Sequence, residues 1–232
     1  ALEVLGRGQD LAGRRVMVTA GPTHEAIDAV RYIANASTGK MGYAIAGELA
    51  ARGALVTLVS GPCALATPPG VHRVDVVSAA QMHDAAHIAF AAADAAVCTA
   101  AVADYTPAHP ADHKLKKARE HLDAIELVET ADILAELGQA KGSRLVVGFA
   151  AETDDLIANA RAKLASKHAD LIVANDVSRA DSTFGADTSR VALVDAAGVR
   201  QLETLPLPEV AQALVDELVR LLASRNGGAP RA

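Results

Sequence analysis

Tryptophan is absent, and aromatic residues make up only 3% of the 232 positions. The core cannot rest on large rings. It must be built from Ala, Val, Leu and Ile, which suits helices packed closely on a parallel sheet. Cysteine is scarce: Cys63 and Cys98 are far apart and form no CxxC pattern. A disulfide framework or a cysteine zinc site is therefore not expected, and a reducing, cytoplasmic setting fits best. No apolar run reaches the roughly 18 residues of a membrane-spanning helix. The N-terminus also lacks the basic, apolar and cleavage regions of a signal peptide, so no membrane partner is expected. Positive charge is in the minority, with 22 Lys and Arg against 28 Asp and Glu, a net charge of −6. That balance argues against a general nucleic-acid binder. An anion site must then come from local cations and backbone N–H groups.

What is present is a globular composition, 51% apolar and 22% charged, long enough for one large domain. The chain begins on Ala1 rather than Met, as a piece cut from something longer would. Residues 1–13 read as a lead-in, 14–223 as the domain, and 224–232 as a disordered tail. Strands are predicted over Arg15–Ala20, Leu55–Ser60, Val71–Val77, Asp94–Ala100, Ala124–Val128, Arg144–Phe149 and Asp170–Ala174. Helices are predicted over 40–52, 79–91, 131–137, 153–168 and 207–223, the first capped by Ser37 or Thr38 and stopped by Gly53. A small hairpin is expected near the C-terminus, Val191–Asp195 with Val199–Leu202 around Ala196-Ala197-Gly198. Residues 21–38 and 107–121 read as long functional loops. Alternating strands and helices imply a three-layer α/β domain with a mainly parallel sheet. The loops at 21–38, 98–106, 149–152 and 174–190 follow strands and should gather at one edge, where such sheets bind ligands.

Several familiar motifs fail. Gly39-Lys40 has Ala34 where a P-loop needs its first Gly, and Met41 where it needs Ser or Thr. Gly6-x-Gly8 lacks the third Gly of a dinucleotide fingerprint and follows no strand. His24-Glu25-Ala26-Ile27-Asp28 resembles a zinc-protease motif but sits in a predicted loop, so its ends would not share a helix face.

Other segments are more informative. Ser37, Thr38 and Gly39 lie at a helix start, where free N–H groups and the dipole favour an anion, although a plain cap is the simpler reading. Arg31 and Asn35 lie just upstream; Arg suits a phosphate or carboxylate, and Asn can donate to an oxyanion. Ala100–Tyr105 follows a buried strand, with small residues that leave room for a flat base and Asp104 to accept from an amino group or hold a metal. Lys114, Lys116, Lys117 and Arg119 form a cationic loop, either simply solvated or a flap over a polyphosphate. Lys163 and Lys167 are i,i+4 and share a helix face; snorkelling is the plainer alternative. Asn175-Asp176 ends another strand at the same expected edge.

In order along the chain, AGPT (20–23), DAVRYIANASTGKMG (28–42), VTLVSGP (56–62), AAVADY (100–105), KLKK (114–117), VVGFAAET (146–153) and ANDV (174–177) resemble the bacterial phosphopantothenoylcysteine synthetase family. That family usually forms the C-terminal half of a bifunctional coenzyme A biosynthesis protein. The resemblance implies a Rossmann-like homodimer, naturally fused to an N-terminal flavin-dependent decarboxylase. The residues that would bind flavin are outside this chain, so no flavin is expected. The implied reaction joins cysteine to 4'-phosphopantothenate using CTP and Mg2+, through an acyl-cytidylate, releasing pyrophosphate and then CMP. Asn35 matches the family's Asn that stabilises the acyl-cytidylate. Arg31 matches the Arg tied to the second half-reaction, and Lys114 the first Lys of the flap. The CTP site maps to Cys98, Thr99, Ala100, Asp104, Lys114, Ala131, Asp132, Ile133, Leu134, Phe149, Lys163 and Lys167, with Ser37 and Gly39 as phosphate or substrate contacts. Mg2+ is expected to be held mainly by the triphosphate. One departure is clear: the family's KNPDI-like stretch is Glu129-Thr130-Ala131-Asp132-Ile133 here. Two other readings are a nucleotide-sugar or NAD-dependent enzyme, which lacks its phosphate fingerprint, and a nucleotide-sensing module with a decayed site, against which Asn35, Asp104 and Lys114 stand.

Overall fold

The computed structural model describes residues 8–117, 122–152, 154–177, 182 and 185–226. In chain order the elements are β1 (Arg15–Ala20), β2 (His24–Ala26), β3 (Tyr32–Ala34), α1 (Lys40–Ala51), β4 (Leu55–Ser60), β5 (Val71–Asp75), α2 (Ala79–Ala91), β6 (Ala95–Cys98), β7 (Tyr105–Pro107) and β8 (Leu127–Glu129). Then follow α3 (Ile133–Ala140), β9 (Leu145–Glu152), α4 (Leu156–Ser166), β10 (Leu171–Asp176), β11 (Thr188–Ser189), β12 (Val191–Asp195), β13 (Val199–Gln201), β14 (Leu205–Pro206) and α5 (Leu207–Asn226).

Eight strands form one sheet in the order β13-β12-β10-β9-β6-β1-β4-β5. The six from β5 to β10 run parallel, while β12 and β13 close the edge antiparallel. The chain winds outward from β1 in both directions, so a crevice opens beyond the carboxyl ends of β1 and β6. The expected C-terminal hairpin is this β12–β13 pair, part of the main sheet. Asp195 accepts from the Ala197 and Gly198 N–H groups in its turn, both at 2.9 Å.

Alternation along each strand separates two apolar layers. Val16, Val18, Leu58, Val97, Val147 and Val173 face α1 and α5. Met17, Val59, Ala96 and Val146 face α2 and α3, and Ile172, Ala174 and Val194 face α4. Helix α5 buries Leu207, Val210, Ala211, Leu214, Val215, Leu218 and Leu222, the 3–4 spacing of one helical stripe. Each large side chain fully buried there contributes about 1.5–3 kcal/mol. Arg52, at the end of α1, bonds Asp10 and Asp216, joining the chain start to α5.

Several boundaries differ from the sequence expectation. Residues 8–13 pack onto the domain through fully buried Leu11 instead of trailing as a lead-in. The 21–38 segment contains the β2–β3 hairpin, because its three-residue strands are too short to show periodicity. Strand β6 ends at Cys98, whereas β9 continues to Glu152. Neither Ser37 nor Thr38 caps α1: Gly39 occupies the cap position at φ 78°, a left-handed turn that favours glycine. Ser224–Asn226 complete the last turn of α5. The expectations for Arg119, Thr153, residues 1–7 and 227–232, and parts of the 107–121 and 174–190 loops fall outside the described residues.

Candidate active site at the strand ends

A cavity of about 790 Å³ lies at the carboxyl edge of the sheet, a size suited to a nucleotide-sized ligand. Its floor is made by the carboxyl ends of β1 and β9 and by the segment that follows β6. Thr99 Oγ1 donates to the Thr19 carbonyl at 2.6 Å, and Ala101 N–H to the Gly21 carbonyl at 2.9 Å. The buried Thr23 hydroxyl accepts from Ala103 N–H at 3.0 Å, and Thr130 Oγ1 donates to the Ala103 carbonyl at 2.6 Å. The Ala100–Tyr105 segment is therefore a fixed shelf. Gly42 lets α1 lie against it: an added Cβ would collide with Thr99 Oγ1.

One wall belongs to α3 and α4. Asp132 caps α3 by accepting from Ala135 N–H at 2.9 Å and pairs with Lys167 through its other oxygen. Burial raises the Asp132 pKa, but the Lys167 contact and the helix N–H outweigh it, and the net shift is downward. Lys163 is held below the usual lysine range, chiefly by burial and also by Lys167. The carboxylates of Glu152, Asp132 and Asp104 oppose that shift. An anionic ligand here would relieve the two-lysine repulsion. Burial pushes the Cys98 thiol up to about 12, so it lines the cavity as a neutral, apolar group.

The other wall carries Asn35, Ser37 and Gly39. Asn35 donates one amide N–H to the Val102 carbonyl at 2.9 Å, leaving a second donor on the same nitrogen. Ser37 Oγ accepts from Gly39 N–H at 3.3 Å.

Of the residues singled out from sequence, Asn35, Ser37, Gly39, Cys98, Thr99, Ala100, Asp104, Ala131, Asp132, Ile133, Leu134, Phe149, Lys163 and Lys167 all line this cavity. Arg31 and Lys114 do not. They meet on an adjoining flap built from β2–β3, β7–β8 and residues 108–117. Its hub is Asp28, a buried carboxylate that accepts from the Arg31 guanidinium, the Val30 and Arg31 N–H groups at 2.8 Å each, and Leu115 N–H at 3.1 Å. Arg31 also donates to the Leu115 carbonyl at 3.0 Å. The guanidinium holds the Asp28 carboxyl far below the usual range despite burial. Lys114, next in sequence to that clasp, is exposed.

The motif reading missed Lys40, Ser182 and Ser189. Lys40 reaches across the cavity rim to the Gly185 carbonyl at 2.9 Å and Asp187 at 2.7 Å. Ser182 and Ser189 both donate to Asn175 Oδ1, at 2.7 and 2.9 Å. Isolated serines give no sequence signal; only the folded loop brings them to Asn175. The resemblance to a zinc-protease motif dissolves as well. Glu25 accepts from Ala79 N–H at 2.8 Å at the start of α2, and His24 stacks on Tyr32 at 3.8 Å.

Fold and cavity define an α/β domain of the doubly wound class, with an anion-ready site at its topological switch point. The chain belongs to the DNA/pantothenate metabolism flavoprotein C-terminal domain family, whose model matches residues 11–222. It is 46% identical over 213 residues to the coenzyme A biosynthesis bifunctional protein CoaBC of Bacillus subtilis, covering 91% of this chain and 52% of that protein. The protein of the same name from Escherichia coli K12 is 44% identical over 220 residues, covering 94% and 54%. The chain thus spans about half the length of these curated relatives. Among solved structures, the C-terminal domain of a coenzyme A biosynthesis bifunctional protein CoaBC superposes with a TM-score of 0.81 at 40% identity, covering 94% of this chain and all of that one.

Proposed function

We propose that this domain is a ligase of coenzyme A biosynthesis that joins cysteine to 4'-phosphopantothenate at the expense of CTP. A free carboxylate acylates poorly, because displacement would expel oxide. Attack of that carboxylate on the α-phosphorus of CTP forms an acyl-cytidylate and releases pyrophosphate. The cysteine amine then attacks the acyl carbon, loses its proton and expels CMP, leaving the amide.

The observation that carries this reading is convergence: Lys163 and Lys167 of α4 and its C-cap, with Asp104 and Asn35, from three separate stretches of chain, line one cavity. The two lysines suit a polyphosphate that gains charge as pyrophosphate departs. Asn35 keeps a donor for the mixed anhydride. The small residues Ala100 and Ala101 leave a flat slot for the base, with Asp104 at its rim to accept from an exocyclic amino group. The Asp104 carboxylate has no ion pair among the described residues, so it also fits a water of a Mg2+ ion carried on the triphosphate. Mg2+ would supply charge neutralisation there. Lys114 acts from the flap, closing over the phosphates.

The flap also supports a homodimer. Val30, Tyr32, Tyr105, Leu127 and Val128 are large apolar side chains exposed on its two hairpins, an apolar surface of the kind that marks protein contacts. A second copy packed there would bring further flap residues toward a cavity. The flavin-dependent decarboxylase fused in the full-length protein is part of the same proposal.

The direct test is pyrophosphate release with each nucleotide, with and without acid and cysteine. Release that requires both CTP and 4'-phosphopantothenate, before cysteine is added, is the expected result. Release indifferent to the acid would refute the reading.

A further inference from the structure

Away from the cavity, α2 and α3 present a cluster that the proposed ligation does not use. His83 and His87 are four residues apart on α2 and so share a face; their rings lie 4.4 Å apart between centroids. Glu136, in the first turn of α3, faces both. Its Oε2 is 2.9 Å from His83 Nε2 and 3.2 Å from His87 Nε2. Ligand atoms of all three lie within 4.8 Å of one another.

Two details separate this cluster from an ordinary surface ion pair. His87 Nε2 is buried and makes no hydrogen bond: it is near Glu136 but misaligned with it. A buried, unsatisfied ring nitrogen is costly. His83 directs its other nitrogen, Nδ1, at Asp84 Oδ1, 3.0 Å away. Its Nε2 is hydrogen-bonded to Glu136 at 2.9 Å; a metal that displaced the Nε2 proton would leave Nδ1–H on Asp84, the arrangement in which a carboxylate orients a metal-binding imidazole. Four-coordinate Zn2+ with bonds of about 2.0–2.1 Å separates its ligand atoms by roughly 3.3 Å. The observed 2.9 and 3.2 Å fall just inside that spacing. The three side chains are half-buried, and a water would complete four-coordination of an ion held by them.

We propose that His83, His87 and Glu136 form a three-ligand site for a transition-metal dication of the Zn2+ type. Two imidazoles and one carboxylate favour such an ion over Mg2+, which prefers oxygen ligands. The site staples α2 to α3. Because Asp132, Ile133 and Leu134 at the start of α3 wall the cavity, an occupied site would also stiffen that wall.

The test is titration of the chelator-stripped protein with Co2+, followed by its visible d–d bands, and then displacement by Zn2+. One Co2+ per chain with the intense bands of four-coordination is expected, together with a Zn2+-dependent rise in Tm. His87→Ala and Glu136→Gln should each abolish both signals. Asp84→Asn should weaken binding by about 10–100-fold, the usual effect of losing an orienting partner. His72→Ala, outside the cluster, should change neither signal. Circular dichroism and metal-free Tm of each variant report whether it has folded. Absence of Co2+ bands in the wild-type protein, or bands that persist in folded His87→Ala, would overturn the proposal.

Discussion

The cavity and the flap beside it are built in opposite ways. Most of the cavity lining hangs on the eight-stranded sheet and its helices: Ala100 N–H is bonded to Thr19 of β1, and Asp132 at the α3 cap is bonded to Lys167 at the end of α4. Its side chains are set by strand register and two apolar layers. The flap is tied on more sparsely. Glu25 accepts from Ala79 N–H and His24 N–H donates to the Val77 carbonyl, while Asp28 and a bond from Ala111 N–H to the Ile27 carbonyl join the β2–β3 hairpin to the 108–117 segment. Under the proposed function this contrast is a division of labour, in which the sheet-rooted half binds and the sparsely tied half closes over the ligand.

The largest expected effect falls on the sheet-rooted half. Asn35→Asp replaces a donor with a negative charge beside the proposed mixed anhydride. Losing one such donor typically costs about 100–1,000-fold in rate, here measured as single-turnover formation of the acyl-cytidylate. Wild-type rates would remove Asn35 from the chemistry. Next is the flap hub. Asp28→Asn should lower ligation by about 100-fold through mispositioning while leaving the Tm of the domain nearly unchanged, since neither apolar layer includes it. Hydrogen exchange should accelerate over 26–34 and 112–117 only. Faster exchange throughout the sheet would show that the two halves are not separable.

A third substitution tests the α3–α4 wall. Gly138 sits against the Lys167 carbonyl, with no room for a Cβ. Gly138→Ala should destabilise by about 1–3 kcal/mol, as overpacking does, and weaken CTP binding by moving Lys167. A neutral effect on both would show that the wall yields easily.

Acid should open the flap before the sheet. The Asp28 carboxyl has an ordinary value of 3.8 in the unfolded chain and a much lower one when folded. Its contribution is complete above the unfolded value and is lost as pH falls below about 4 toward the folded value. Limited proteolysis along a pH series should therefore cut the flap first in wild type, and Asp28→Asn should remove that pH dependence. The smallest effect concerns the thiols. Burial raises the Cys63 pKa, but its hydrogen bonds with Ser60 and Tyr43 and the nearby Arg73 charge bring it below its ordinary value. Cys98, pushed the other way, should be alkylated more slowly at neutral pH. Mass spectrometry of the labelled peptides measures the ratio.

The same contrast governs what could be read from sequence. The parallel sheet, its helices and the gathering of the 98–106 and 149–152 loops at one edge follow from long β-branched runs and helical spacing, whereas the family resemblance is what places Lys163 there. Those patterns extend over whole elements, so they survive small boundary errors. The flap was legible only in part, as a cationic loop and a strand overlapping β8, because its strands are three residues long and the β7–β8 pairing spans a long loop. Arg31 and Lys114 were found by motif, but that Leu115 links them to Asp28 is visible only in the fold. The His83–Glu136 pairing was hidden for the same reason: α2 and α3 are far apart in sequence and become neighbours only on one face of the folded sheet.

The most direct test of the account follows an oxygen atom. 4'-Phosphopantothenate labelled with heavy oxygen in its carboxylate should transfer one labelled atom to the CMP released in each turnover, because that oxygen bridges acyl carbon and α-phosphorus before the amine attacks. Heavy oxygen in inorganic phosphate, or unlabelled CMP, would contradict activation at the α-phosphorus and with it the function proposed for the cavity.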